Sequence, residues 1–235
     1  MTNPPLIYTV RLDLANDIRE EFNTWADTRH IRDLLEAGFI SATRFRAYKG
    51  KPEYMHIYEI PSATLFQTEK YQNVANKDVT MTRLQHGISN HSASIYEQIV
   101  TKNVCDTSDE FSNASGNSAR GLPNNHLITV QMEVKKENED ELVRWHREEH
   151  IPMLLKAEGM VNGRLCKLAA KHPSTPSLDL KWVSIFEMER AETLKDQKVK
   201  EANETAWAER MHSLTSKVRL WVLERITPAQ HIPLD

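Results

Sequence analysis

Residues Leu6 to Leu14 are rich in β-formers and then alternate apolar with polar, which predicts a half-buried strand. Asn16 follows as a candidate helix cap, and Ile18, Phe22 and Trp25 fall within one narrow arc of a helix. After Trp25 the phase breaks. Ile31, Leu34 and Leu35 define a new apolar face, which predicts a kink or restart close to His30. Gly38 supplies a helix stop. Phe39–Tyr48 and Tyr54–Ile60 then read as a hairpin turning over Lys49-Gly-Lys-Pro52. Ser62 to about Asn76 reads as a second helix and Ser92–Val100 as a closing strand. The order is strand, helix, strand, strand, helix, strand.

The same order occurs twice. Trp25-Ala-Asp-Thr-Arg-His30-Ile-Arg-Asp-Leu-Leu35 lies over Trp145-His-Arg-Glu-Glu-His150-Ile-Pro-Met-Leu-Leu155 without a gap. Ile57-Tyr-Glu-Ile60 matches Ile185-Phe-Glu-Met188, and Glu97-Gln-Ile99 matches Glu224-Arg-Ile226. In the second half Pro152 would enforce the helix break, because proline lacks an N–H and clashes with the preceding turn. Gly159 again supplies the stop. The expected organisation is an N-terminal repeat over 1–104, a small polar linker over 105–123, and a C-terminal repeat over 124–235. A βαββαβ unit is a ferredoxin-like sandwich of class α+β, with two helices on one face of an antiparallel sheet. The other face of each sheet must also be buried, and a second copy can do it.

Composition narrows the function. Thirty Lys and Arg against 33 Asp and Glu give a net charge of −3, so no basic field gathers nucleic acid or an anionic membrane. No run of 18 apolar residues offers a spanning helix, and the N-terminus lacks the layout of a secretory signal. Cys105 and Cys166 make no disulfide framework, which fits a reducing, cytoplasmic setting.

The segment Trp145-x4-His150-Ile-Pro152-x2-Leu155, followed by Gly159-Met-Val161, resembles the helix-to-strand segment of the dimeric α/β-barrel superfamily, most of all its EthD-like branch. The resemblance spans both halves. It implies two ferredoxin-like units packed sheet to sheet as an intramolecular, pseudo-dimeric α/β barrel, with a small-molecule pocket between helices and sheet in each unit. The chain would then be a monomeric pseudo-dimer or a homodimer. The implied activities are cofactor-independent monooxygenation, cyclisation, isomerisation and dehydration, beside haem degradation and non-catalytic stress proteins.

His150 and His30 are the first candidates for general acid/base work, since imidazole exchanges protons near neutral pH and the resembled family uses this position. The alternative is a histidine capping a kinked helix. His212 and His86 precede their terminal strands by similar distances and form a second pair, catalytic or solvated. Trp145 and Trp25 belong to the core and could wall a pocket. His146 and Glu149, one turn from His150, could tune it, whereas Arg29 would disfavour protonation of His30. Arg164 and Arg44 could bind a carboxylate or enolate oxygen, or lie on the surface. Glu59 and Glu187 are expected at solvated strand positions, unless one faces a histidine and orients it. His146-Arg-Glu-Glu-His150 matches a zinc-protease signature, but the first half lacks it, and no metal or other cofactor is expected. The leading expectation is a cofactor-independent lyase or isomerase acting on a small hydrophobic carbonyl, phenolic or lactone-like metabolite. A cofactor-free monooxygenase and a non-catalytic ligand-binding or stress protein are the alternatives.

Overall fold

The computed structural model describes residues 4–104, 124–226 and 230–231. In the first half β1 (Leu6–Leu14) leads into α1 (Asn16–Trp25), a five-residue π turn (Ala26–His30) and α2 (Ile31–Glu36). The hairpin β2 (Ser41–Lys49) and β3 (Tyr54–Ile60) follows, then α3 (Glu69–Lys77), α4 (Val79–Leu84) and β4 (Ile88–Asn103). The second half repeats this as β5 (His126–Val134), α5 (Glu139–Trp145), a π turn (His146–His150), α6 (Ile151–Leu154), β6 (Met160–Lys171), β7 (Trp182–Met188), α7 (Gln197–Asn203), α8 (Ala206–Leu214) and β8 (Thr215–Arg225). A short β9 (Gln230–His231) pairs with the start of β2. The proposed linker over 105–123, with Cys105, lies outside the described residues.

Each half forms an antiparallel sheet, in the orders β2-β3-β1-β4 and β6-β7-β5-β8. The sheets join at both edges. β4 pairs with β6 from Ser94↔Lys171 to Asn103↔Asn162, and β8 pairs with β2 through Phe45↔Arg225 and Ala47↔Leu223. The eight strands therefore close into one barrel. Closure leaves no long strand edge free for outside pairing. β3 and β7 are buried along their whole length, because one face meets the barrel interior and the other meets helices.

Strand alternation sorts the side chains between those two faces. Ile7, Met55, Ile57, Leu127, Val183, Ile185, Trp221 and Leu223 fill the interior. Their neighbours Tyr8, Tyr58 and Ile95 pack under the first-half helices, and Met132, Trp182 and Phe186 under those of the second. Glu59 and Glu187 are not solvated. Both are buried inside the barrel, where Arg164 meets Glu59 at 3.5 Å and Glu187 at 3.2 Å. Ser41 also donates to Glu59, and Asn162 and Asn124 donate to Glu187.

The hairpin loops differ in length. Lys49–Tyr54 turns tightly through Gly50, whose φ is +101°. Residues 172–181 between β6 and β7 instead form a strap that crosses to the first half. Ala93 N–H donates to Pro176 O at 3.0 Å, Leu178 N–H to the Ser92 hydroxyl at 2.9 Å, and Arg11 pairs with buried Asp179. Among the described residues no helix is long and apolar enough to cross a membrane.

Ala15, in extended conformation, caps α1, and Asn16 is already its first helical residue. The phase break expected near His30 is real, and it is a π turn rather than a kink. The first half forms it with Arg32 where the second has Pro152, so proline does not cause it. Gly38 and Gly159, with φ of +110° and +83°, end the helices as expected.

Candidate functional site

A π turn closes i→i+5 hydrogen bonds, so residues five apart stand roughly one above the other. That is the spacing of the Trp-x4-His repeat. His150 stacks on Trp145 with ring centroids 4.1 Å apart, and His30 stacks on Trp25 at 4.4 Å. Each tryptophan N–H is held by a carboxylate: Trp145 donates to Glu149 at 3.2 Å and Trp25 to Asp78 at 3.0 Å. Glu149 is fixed in turn by the Thr205 hydroxyl at 2.6 Å. Tryptophan and carboxylate together set the ring that stacks above.

The second-half stack borders a cavity of about 380 Å³ between the helices and the outer face of β5, β7 and β8. Its walls are mainly apolar, including Ile128, Val130, Met160 and Phe186, and the polar lining groups are few. His146, His150, His212 and Ser184 are the main ones, a balance typical of small-molecule sites. His146 donates Nδ1–H to Leu142 O at 2.9 Å, which leaves Nε2 to accept the Ser184 hydroxyl at 2.8 Å. His150 donates Nδ1–H to Ala202 O at 3.4 Å, so the neutral ring keeps its lone pair on Nε2. Burial pushes His146 down to about 4. Burial, followed by His146 and His212, holds His150 well below the usual histidine range. Both imidazoles are therefore neutral at pH 7, and His150, whose Nε2 bonds none of the described residues, can accept a proton or a hydrogen bond.

The first half has its own cavity, of about 200 Å³. His30 lines it with Nδ1 buried and unpartnered, and burial lowers it to about 4. Among charged neighbours Asp78 and Asp33 oppose that shift and Arg44 adds to it. Arg29, expected to be that cation, turns instead to Asp33 at 3.4 Å. Three further histidines line this cavity: His56, His91 and His172.

The structure thus gathers His150, His146, His212 and Trp145 at one cavity and His30 with Trp25 at the other. It places His86 elsewhere, exposed in the turn before β4, bonded to Arg83 O and to Asp17 at 3.3 Å. Arg164 and Arg44 are buried rather than superficial, and neither lines either of these two cavities. They also face opposite ways. Arg44 pairs across with His56 and points toward Asn23 and Asp27 of the first helix, whereas Leu165, not Arg164, pairs with the equivalent Ser184. One residue of offset on a strand changes the face. Ser184 and His56 were legible in principle, since Trp182-Ser184-Phe186 and Tyr54-His56-Tyr58 each share one strand face. His172 was not, because only the folded strap brings it to the other half. His146 and His150 each commit Nδ1 to a backbone carbonyl, and among the described residues no three His, Cys, Asp or Glu side chains converge as a metal-holding group.

Residues 126–217, most of the second half, match the model of a domain of unknown function, DUF4286. A comparison with curated proteins gives no match. Solved structures align over nearly the full chain. A candidate monooxygenase of Fusobacterium nucleatum gives a TM-score of 0.62 at 9% identity, over 98% of this chain and 96% of that one. An anthrone oxidase-like protein gives 0.65 at 12% identity, over 96% and 92%. A heme-binding protein from Thermus thermophilus gives 0.57 at 13% identity, over 95% and 92%. At such identities the likeness shows the fold alone: a ferredoxin-like α+β barrel, closed here by two halves of one chain.

Proposed function

We propose that the second-half cavity is the active site of a small-molecule enzyme in which His150 takes and returns a proton on an apolar phenol, enol or carbonyl substrate. One observation carries the reading: a neutral imidazole, fixed by Trp145 and Ala202 with Nε2 unengaged among the described residues, on the wall of an apolar cavity of about 380 Å³. The proton leaves the substrate for Nε2, and the Ala202 carbonyl on Nδ1–H stabilises the imidazolium that forms. Apolar walls exclude water and strengthen that interaction. Return of the proton to a different atom gives isomerisation. Its delivery to a leaving oxygen as the C–O bond breaks gives elimination, and its delivery to the carbon from which CO2 departs gives decarboxylation. These are the lyase or isomerase chemistry expected from the sequence. The Trp-x4-His-Ile-Pro segment supports an affiliation with the EthD-like branch.

A cofactor-free monooxygenase is the second reading, favoured by the fold shared with the candidate monooxygenase and the anthrone oxidase-like protein. There the deprotonated substrate would supply its own electrons to dioxygen. Haem, bound by another protein of this fold, does not fit these residues. His150 could serve as an axial ligand, yet no Lys or Arg is among the described residues lining the cavity to meet two propionates.

The test is turnover of hydroxylated anthrones, naphthols and enol lactones, in air and in strictly anaerobic buffer. Turnover should persist without oxygen. His150→Ala should lower it about 10²–10⁴-fold, the usual range for a general acid/base, and His30→Ala should lower it less. Turnover that vanishes without oxygen selects the monooxygenase. Saturable binding without turnover in either atmosphere makes the protein a ligand carrier, and full activity of His150→Ala ends the proposal.

A further inference from the structure

The first-half cavity is not the active site proposed above, and its polar groups point to a purpose of their own. Three tyrosines, Tyr8, Tyr58 and Tyr71, line its walls, and the hydrogen-bond direction at the Tyr58 and Tyr71 hydroxyls can be traced. Arg44 donates Nε–H to His56 Nε2 at 3.3 Å. The proton of neutral His56 must then sit on Nδ1, which donates to the Tyr58 oxygen at 3.3 Å. On the opposite wall the Ser174 backbone N–H donates to His172 Nδ1 at 3.3 Å. His172 therefore carries its proton on Nε2 and donates to the Tyr71 oxygen at 2.8 Å. Burial keeps both rings neutral, His172 at about 4 and His56 well below its usual value.

Each phenol oxygen already accepts, so each O–H remains free to donate. Neither hydroxyl has another hydrogen-bond partner among the described residues. Burial raises Tyr71 to about 12 and raises Tyr58 further, which keeps both protons in place at neutral pH. Tyr8, stacked on Tyr58 at 5.6 Å and on His172 at 5.8 Å, forms a flat floor between them. No Asp, Glu, Lys or Arg is among the described residues lining this cavity, so its chemistry suits a neutral guest.

We infer that the first-half cavity is a second small-molecule site, for a neutral single-ring aromatic ketone, aldehyde or quinone whose carbonyl oxygen accepts the Tyr58 and Tyr71 hydroxyls. Two donors match the two lone pairs of a carbonyl oxygen. The size agrees, since a dry cavity of about 150 Å³ admits benzene and this one measures about 200 Å³. His172 and Ser174 belong to the strap, so the site is complete only when the second half lies over the first.

The experiment titrates the full chain with acetophenone labelled at its carbonyl carbon, and with ethylbenzene as a hydrocarbon of nearly the same shape. Affinity is read by calorimetry and the carbonyl by infrared stretch. Tyr58→Phe and Tyr71→Phe should each weaken acetophenone about 3- to 10-fold, the worth of one hydrogen bond. Both should move the stretch toward its value in an apolar solvent, while ethylbenzene binds as before. Phenylalanine keeps the ring packing, and His172→Phe gives an independent variant that keeps a ring beside Tyr8 while removing the hydrogen bonds to Tyr71 and Ser174; it should weaken acetophenone in the same direction as Tyr71→Phe and leave ethylbenzene unchanged. His150→Ala should leave the Tyr58- and Tyr71-dependent part of the affinity and stretch unchanged, which separates this site from the second-half cavity. Absence of saturable acetophenone binding overturns the inference. So does a Tyr58→Phe/Tyr71→Phe protein with unchanged affinity and stretch, or a Tyr58- and Tyr71-dependent stretch that responds to His150→Ala.

Discussion

His146, His30 and His172 are each lowered to about 4 by burial, and burial also holds His56 and His150 well below the ordinary value. An unfolded histidine titrates near 6.5. Between about pH 4 and 6.5 the unfolded chain therefore binds more protons than the folded one, and stability rises with pH across that window. The contribution is complete above pH 6.5 and lost as pH falls toward 4. The melting temperature should accordingly drop steeply from pH 6.5 to 4, and His146→Gln should flatten that slope by its share. A melting temperature constant over this window would mean that the rings are protonated in the folded protein. The residue scale is also where sequence was least informative. Arg44 and Arg164 look equivalent in a linear comparison, yet one reaches a helix and the other two carboxylates inside the barrel. A charged residue on a strand reads as solvated until closure of the barrel puts both faces under cover.

The π turns explain at the scale of the element why tryptophan and histidine recur five apart. An α-helix would rotate residue 150 well away from residue 145, whereas a wider turn brings it back above the indole. The break in apolar phase after Trp25 was visible in the sequence because one extra residue per turn shifts every later position. Its nature was not, since a kink, a restart and a π turn all interrupt a 3.6-residue period. Pro152 stands in the first turn of α6, where a missing N–H costs little. Pro152→Ala should therefore leave the stack of His150 on Trp145 intact and lower stability by about 0.4–1 kcal/mol, chiefly through a freer unfolded chain. Thermal melting and the ring-shifted imidazole proton resonances of His150 would check this. Loss of those shifts would show that proline holds the turn.

For the whole molecule, the duplication and the α+β barrel were legible because both halves carry the same pattern and each sheet needs a cover. The joining of the sheets was less so, because edge pairing of β4 with β6 and β8 with β2 depends on register that no single strand specifies. Cleavage within 105–123 should leave the halves together, held by those two ladders and the common interior. Size-exclusion chromatography of the cut chain should give one species of unchanged size, and two separate monomers would contradict the closed barrel.

The strap carries a consequence for how such a chain can descend from a symmetric pair. A homodimer built from second halves alone would lend one strap to the wall of each partner's cavity. A homodimer of first halves, with their tight Gly50 turn, would lend none. The fused chain has one chamber walled in part by the other half and one lined by its own half alone. Its two copies have thus lost interchangeability, and a swap of the halves' hairpin loops would exchange which chamber borrows a wall rather than restore symmetry.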